Sequence, residues 1–194
     1  MAALGYFVDV YDLILFSIVR IPSLESLGFH GESLTNMGVN LLNIQMLGML
    51  LGGILWGVLG DKKGRLSILF FTILLYSLAN IANGMVQNIT QYYILRFFAG
   101  LGLAGELGIG ITLVSEVMSK ETRGYGTTLV SGVGILGAIA GFWVADHFDW
   151  RMAYYVGGGL GLLLLFLRIS VFESGMYHKL KETHIKKGNF LSLF

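Results

Sequence analysis

Apolar residues run along most of this chain in stretches of helical length, and the polar residues collect in the short breaks between them. Six such stretches, over approximately 3–21, 39–59, 66–86, 92–117, 125–145 and 152–171, each approach the roughly 20 residues with which an α-helix crosses about 30 Å of hydrocarbon. The pattern predicts an all-α membrane protein whose six transmembrane helices occupy residues 1–171. A polar, lysine-rich tail over 172–194 follows and reads as an amphipathic segment on the cytoplasmic membrane surface. Composition agrees. Hydrophobic residues make up 55% of the chain and charged residues 13%, against about 25% charged in soluble domains, and the mean hydropathy is +0.72. These values argue against a soluble enzyme. The 28 glycines suit close helix contacts in a bilayer, and the lack of cysteine removes disulfides, thiolate metal sites and cysteine nucleophiles.

The positions of the basic residues carry more information than the net charge of +1. Lys62, Lys63 and Arg65 follow the second stretch, Lys120 and Arg123 the fourth, and Arg168, Lys179, Lys181, Lys186 and Lys187 close the sixth. Only Arg20 and Arg151 fall on the opposite side, and Arg96 alone lies within a span. The positive-inside rule then puts both termini and the Asp61 turn in the cytoplasm of a multi-pass protein of a bacterial inner membrane or a plasma membrane. Trp150, Tyr154, Tyr155, Tyr92 and Tyr93 are expected at the outer interface. The first stretch is a poor secretory signal, because Asp9 and Asp12 interrupt it and no basic region precedes it. The chain opens already inside that stretch, as though a short leader had been trimmed.

An internal echo supports the same layout. Leu51-Gly52-Gly53-Ile54 precedes Asp61 and Arg65 much as Leu136-Gly137-Ala138-Ile139 precedes Asp146 and Arg151. The first copy ends inside and the second outside, which predicts that spans one to three and four to six form two inverted three-helix repeats, an arrangement common in secondary transporters.

Ionisable residues within spans cost about 2.5–3.5 kcal/mol or more at a helix centre and therefore point to function. Asp9, Asp12, Arg96 and Glu106 qualify. Asp9 and Asp12 are one helical turn apart and share a face, forming a paired carboxylate patch suited to loading a proton from one side and releasing it to the other. Arg96 is a fixed cation that can hold an anion bidentately or pair with a carboxylate when no substrate is bound. Glu106 lies roughly 15 Å further along the same helix, so its partner must come from another span. Tyr11, Asn43 and Gln45 are candidate polar groups of the same pathway. A static network of buried salt bridges is the competing reading of this set.

The turn Gly57-Val58-Leu59-Gly60-Asp61-Lys62-Lys63-Gly64-Arg65 resembles the loop between spans two and three of the major facilitator superfamily, departing only where Leu66 replaces a basic residue. Arg96-Phe97-Phe98-Ala99-Gly100-Leu101-Gly102 is similar to that family's span-four arginine motif. Glu116 and Arg123-Gly124 resemble the acidic and Arg-Gly elements of its sugar-porter and metabolite:proton symporter branches. Arg168 with Glu173-Ser174-Gly175 resembles the end of span six in those branches, without the usual proline. Phe7-Val8-Asp9-Val10-Tyr11-Asp12-Leu13 with Gly102-Leu103-Ala104-Gly105-Glu106 resembles phosphate:proton and metabolite:proton symporters.

The resemblance implies one six-helix half of a twelve-helix fold that works by alternating access. Gly57, Asp61, Gly64, Arg65, Glu116 and Arg123 would form a cytoplasmic gating motif, with Asp61 and Arg65 clamping the second half in an outward-open state. It further implies proton-coupled symport of a small anionic or zwitterionic metabolite, such as an organic acid or phosphate. The alternatives are a sugar porter or uncoupled facilitator, or a non-transporting fragment or half-transporter that needs a partner chain. Expected partners are the substrate, H+, the lipid bilayer and a second six-helix half, with no cofactor, metal or nucleic acid.

Three weaker signals are set aside. Gly100-x-Gly102-x-x-Gly105 fits a dinucleotide fingerprint, but it lies in a span rather than after a strand. Asn88-Ile89-Thr90 is a formal glycosylation sequon, better read as helix capping by Thr90. The four histidines fall in loops or the tail without ligand spacing. Because the chain lacks cysteine, single substitutions test the orientation cleanly. A membrane-impermeant maleimide should label Lys62→Cys only from the cytoplasmic side and Asn88→Cys only from the opposite side, and the reverse pattern would refute the topology.

Overall fold

The computed structural model describes the backbone of residues 2–117 and 123–182 and the side chains of residues 3–62, 64–107 and 124–170. Within these residues the chain is helical: α1 (Ala2–Ser26), α2 (Gly31–Lys63), α3 (Arg65–Asn83), α4 (Ile89–Val117), α5 (Arg123–His147) and α6 (Trp150–Glu182). The side chains of Glu116 and Arg123 and the tail beyond Glu182 lie outside the described residues. Segments Gly31–Lys62, Arg65–Asn83, Gly124–His147 and Trp150–Ser170 are long and apolar enough to cross a membrane. Neither α1 nor α4 is among these, and these two carry Asp9, Asp12, Arg96 and Glu106.

Helix bounds outrun the apolar stretches. The second helix begins at Gly31 rather than 39, and the sixth continues past 171 to Glu182. Hydropathy marks the part of a helix that lies in hydrocarbon, whereas backbone hydrogen bonding continues into the polar zone on either side. The first helix likewise runs through Pro22, the only proline, to Ser26. At the start of α4, Asn88 Oδ1 accepts from the Gln91 N–H at 2.9 Å, so Asn88 rather than Thr90 makes the capping contact. The turn after α2 depends on Gly64, whose φ of 92° is one that side chains with a Cβ rarely adopt.

The helices pack through small residues. A Cβ on Gly48 or Gly52 of α2 would overlap the backbone of α4 at Phe97 and Leu101, and one on Gly100 of α4 would overlap Gln45 of α2. The fifth helix meets the first in the same way, with Gly137 against the Phe7 carbonyl, Gly141 against that of Tyr11 and Gly134 against the Tyr6 ring. Gly53, Gly57 and Gly132 have open space around them, so the close contacts expected of these three are not made within this unit. Contacts pair α1 with α5 and α2 with α4 most extensively, α3 with α4 and α6, and α1 with α4 and α6. The helix that carries the two aspartates and the one that carries Arg96 and Glu106 thus run side by side through the bundle.

Polarity is arranged opposite to a soluble bundle. On α3 the buried face holds Thr72, Tyr76, Ser77, Asn80 and Asn83 at helical spacing, while Phe71, Leu74 and Leu78 face outward. On α2 and α5 the outward face is apolar, with Leu50, Ile54 and Val58 on one and Ile135, Ile139 and Phe142 on the other. Such a surface requires lipid or further protein around it.

Tyr92, Tyr154 and Trp150, expected at the outer interface, are packed within the bundle in an apolar cluster with Leu15, Phe16, Val19 and Leu24. The Tyr92 and Tyr154 hydroxyls bond to each other, and Tyr92 also meets the Ser23 hydroxyl at 3.0 Å. Arg151 ties the start of α6 to the end of α3, donating to the Gly84 carbonyl at 2.9 Å while its guanidinium stacks 4.2 Å from the Trp150 ring centre. The glycine contacts yield a stability test. Gly48→Val and Gly137→Val should each destabilise the fold by about 1–3 kcal/mol through overpacking, read as a lower detergent-unfolding midpoint, whereas Gly53→Val should leave the midpoint nearly unchanged.

Candidate functional site

Alternation along α1 explains why its acids turn inward. Val8, Asp9, Tyr11, Asp12, Leu15, Phe16 and Val19 form one buried stripe spaced by three and four residues, so the carboxylates share a face with the helix's core residues. Asp9 and Asp12 are both fully buried, as are Arg96 and Glu106 on the facing α4. These four sort into two layers separated along the helix axes.

The layer nearer the start of α4 is built around Arg96. Its guanidinium lies 3.8 Å from an Asp12 oxygen, donates to Asn80 Oδ1 of α3 at 2.8 Å and reaches Gln45 Oε1 of α2 at 3.3 Å. The Phe16 ring centre is 4.2 Å from it and that of Tyr154 is 5.0 Å, so aromatic faces on α1 and α6 sandwich the cation. Four helices besides its own therefore converge on this one side chain. The ion pair with Asp12 is loose: two neutral amides make the hydrogen bonds, and among the described residues Arg96 Nε and both Asp12 oxygens have no hydrogen-bond partner. Tyr11 is buried beside the layer, but its hydroxyl donates to the Ala153 carbonyl of α6 at 3.2 Å, an interhelical tie. Asn43 is exposed on α2 and does not join this layer.

The second layer lies nearer the end of α2 that carries the Asp61 turn. Glu106 pairs with Arg168 of α6 at 2.9 Å, both side chains being more than nine-tenths buried. The partner that Glu106 required from another helix is thus Arg168, which the charge pattern assigns to the flank of span six. The correction follows from α6 continuing as helix well beyond Arg168, which leaves that residue inside the bundle. Gly5 of α1 seats this pair, because a Cβ there would overlap Arg168 Nη2 and Glu106 Oε1. One turn further along α1, Asp9 is buried, and neither of its carboxylate oxygens has a hydrogen-bond partner among the described residues. Tyr76 of α3 is fully buried, and its hydroxyl has no hydrogen-bond partner among the described residues.

The gating motif stands apart. Arg65 lies 3.6 Å from Asp61, one turn away on the outside of the bundle, and the Asp61 side chain is 72% exposed. A pair so exposed adds about 0–1 kcal/mol, so its value to this half alone is small. Sequence reading missed Arg168, Asn80, Tyr76, Tyr154 and Gly5. The signal for Asn80 was available, since it continues the 69, 72, 76 stripe of α3.

A helical bundle with an apolar exterior, polar side chains turned inward and charged residues from three helices meeting in its middle is an integral, multi-pass membrane protein. The sequence model for the Major Facilitator Superfamily matches residues 2–191, and the chain belongs to that family. It is 37% identical over 122 residues to the niacin transporter NiaP of Acinetobacter baylyi, covering 61% of this chain and 28% of that protein. It is 32% identical over 170 residues to inorganic phosphate transporter 1-1 of Oryza sativa subsp. japonica, covering 79% and 32%. Similarity to the sialic acid transporter NanX of Escherichia coli is 29% over 198 residues, covering 100% and 47%. The chain spans less than half the length of these relatives.

Removing one member of the Glu106–Arg168 pair leaves a buried charge. Arg168→Ala should cost about 3–5 kcal/mol of stability, and adding Glu106→Gln should recover part of that loss. A double-mutant cycle on detergent-unfolding midpoints checks this, and additive effects would show that the two do not interact.

Proposed function

We propose that this chain is the N-terminal half of a secondary active transporter that moves a small anionic or zwitterionic metabolite, an organic acid or phosphate, together with a proton by alternating access. The loose contact of Arg96 with Asp12 carries the reading. With Asp12 ionised, the arginine has a counter-charge 3.8 Å away. With Asp12 protonated, the arginine keeps its amide partners but lacks a negative charge, and a substrate carboxylate or phosphate is the group that completes it. Proton and substrate thereby bind interdependently, which is the thermodynamic requirement for coupling. The named substrates of the relatives above, niacin, sialic acid and inorganic phosphate, are all acids.

In this reading all six helices cross the membrane, α1 and α4 with their charges turned inward, as two inverted repeats of three. The helix contacts support this. They come in exchanged pairs, α1 with α5 as α4 with α2 and α1 with α6 as α4 with α3, as a two-fold relation between α1–α3 and α4–α6 requires. Gly52 on α2 and Gly137 on α5 make corresponding contacts. The termini and Asp61 face the cytoplasm of a bacterial inner or plasma membrane. A second six-helix half covers the apolar faces on one side, and Gly57, Asp61, Gly64, Arg65, Glu116 and Arg123 gate the cytoplasmic end against it.

The test is uptake by proteoliposomes that hold the complete transporter. Accumulation of labelled nicotinate or phosphate should rise at least several-fold with an inward proton gradient, and Asp12→Asn should abolish that dependence while exchange down a substrate gradient persists. Uptake indifferent to the proton gradient would instead identify an uncoupled facilitator or sugar porter.

A further inference from the structure

Two amides that touch Arg96 use only one of their two polar ends. A guanidinium carries donors alone, so a neutral amide can meet it only through the carbonyl oxygen. Gln45 does so at Nη1, 3.3 Å away, and Asn80 at Nη2, 2.8 Å away. Both contacts commit the oxygen to Arg96 and leave the NH2 group for whatever else shares the layer. Gln45 Nε2, Asn80 Nδ2 and Arg96 Nε are all without a hydrogen-bond partner among the described residues, and all three side chains are fully buried. Buried donors are paired in the great majority of proteins, so three unpaired ones around a single side chain point to a ligand that supplies acceptors. The surrounding groups supply few. The Phe16 and Tyr154 rings, centred 4.2 and 5.0 Å from the guanidinium carbon, are apolar faces; the Tyr154 hydroxyl is engaged with Tyr92, and the Tyr11 hydroxyl with the Ala153 carbonyl. Asp12 brings its oxygens to Nη2, the nitrogen that Asn80 shares, whereas Gln45 sits at Nη1. Gly100 seats Gln45 there, because a Cβ on Gly100 would overlap the Gln45 carbonyl and hold α2 away from α4.

We propose that Gln45 and Asn80 are specificity residues, whose NH2 groups join Arg96 in a donor-only cradle that accepts a carboxylate or phosphate and rejects the uncharged carboxamide of the same shape. The inference rests on the transport reading above and extends it from charge to hydrogen-bond pattern. A carboxylate offers about four lone-pair sites on two oxygens, enough to accept from the guanidinium and from both amides. A carboxamide replaces one of those oxygens with an NH2 group. Set among donors, that group finds no acceptor, and buried polar atoms are left unpaired on ligand and protein alike. The amide oxygens hold Arg96 and the amide nitrogens read the ligand, so α2 and α3 both take part in its recognition.

Titration calorimetry on the complete transporter in detergent, with nicotinate, nicotinamide and inorganic phosphate, tests this. The wild type should bind nicotinate or phosphate, and should bind nicotinamide about ten-fold or more weakly than the anion. Gln45→Met removes the NH2 group without adding charge, and should weaken anion binding about ten-fold while leaving nicotinamide nearly unaffected. Gln45→Glu keeps an oxygen for Nη1 and turns the donor into an acceptor, so nicotinamide should bind more tightly than in the wild type as the anion binds less. Asn80→Asp makes the same exchange at Nη2 and should shift the preference in the same direction, which repeats the test on a second helix. Amides that serve only to hold Arg96, or an Asn80 that only bridges Arg96 to Asp12, cannot raise the affinity for nicotinamide. Wild-type binding of neither anion would overturn the proposal, as would unchanged anion affinity in Gln45→Met or an unchanged preference in Gln45→Glu or Asn80→Asp. Proton-driven uptake of either anion alongside any of those results would leave the transport reading intact and remove only the amide cradle.

Discussion

A membrane interior tolerates buried charge only when another charge or a set of aligned dipoles answers it, and this requirement organises the six-helix unit. Two arginines, one on α4 and one on α6, are buried with three acids on α1 and α4. Neither arginine is satisfied by its own helix. Arg96 draws on four other helices, and Arg168 on α4 while resting against α1 at Gly5. The helices that carry these charges cannot leave the bundle without exposing them to lipid, so electrostatics specifies which helices are central and packing of small residues settles how closely they approach.

This division of labour separates stability from chemistry. The apolar cluster of Leu15, Phe16, Leu24, Trp150 and Tyr154 and the glycine contacts of α2 with α4 and α5 with α1 hold the helices in place. The charged layers add little that an apolar filling of equal volume would not match, because desolvation offsets much of the attraction. In the proposed reading, their persistence in so apolar a chain reflects what they would exchange, a proton or an anion. The loose geometry around Arg96, where amides rather than carboxylates make the hydrogen bonds, fits exchange better than a locked ion pair.

Much of the fold was legible in the sequence because hydrophobic runs report the thickness of the bilayer directly. The six helices, the turn after α2 and the ionisable residues within apolar stretches all follow from residue type and spacing. Helix ends were less legible, as with Gly31 and Glu182, since hydropathy falls at the membrane surface while the helix continues. Arg168 was read as a flanking cation because it follows an apolar run and precedes a lysine-rich tail. Only the continuation of α6 and the position of Gly5 turn it into the partner of Glu106. Composition suggests an interfacial position for Tyr92 and Tyr154; that their hydroxyls satisfy one another is a pairing between α4 and α6 that no linear pattern reports. Gly57 and Gly48 are alike in sequence context and differ only in which side of α2 they occupy.

The charged hairpin holds its shape by itself. Gly64 supplies the left-handed backbone, the Gly64 N–H returns to the Gly60 carbonyl at 3.0 Å, and the partly buried Arg65 already lies beside the exposed Asp61. A surface arriving at this corner would meet a preformed element and would pay little entropy to order it. The contact could then be made and broken repeatedly at low thermodynamic cost.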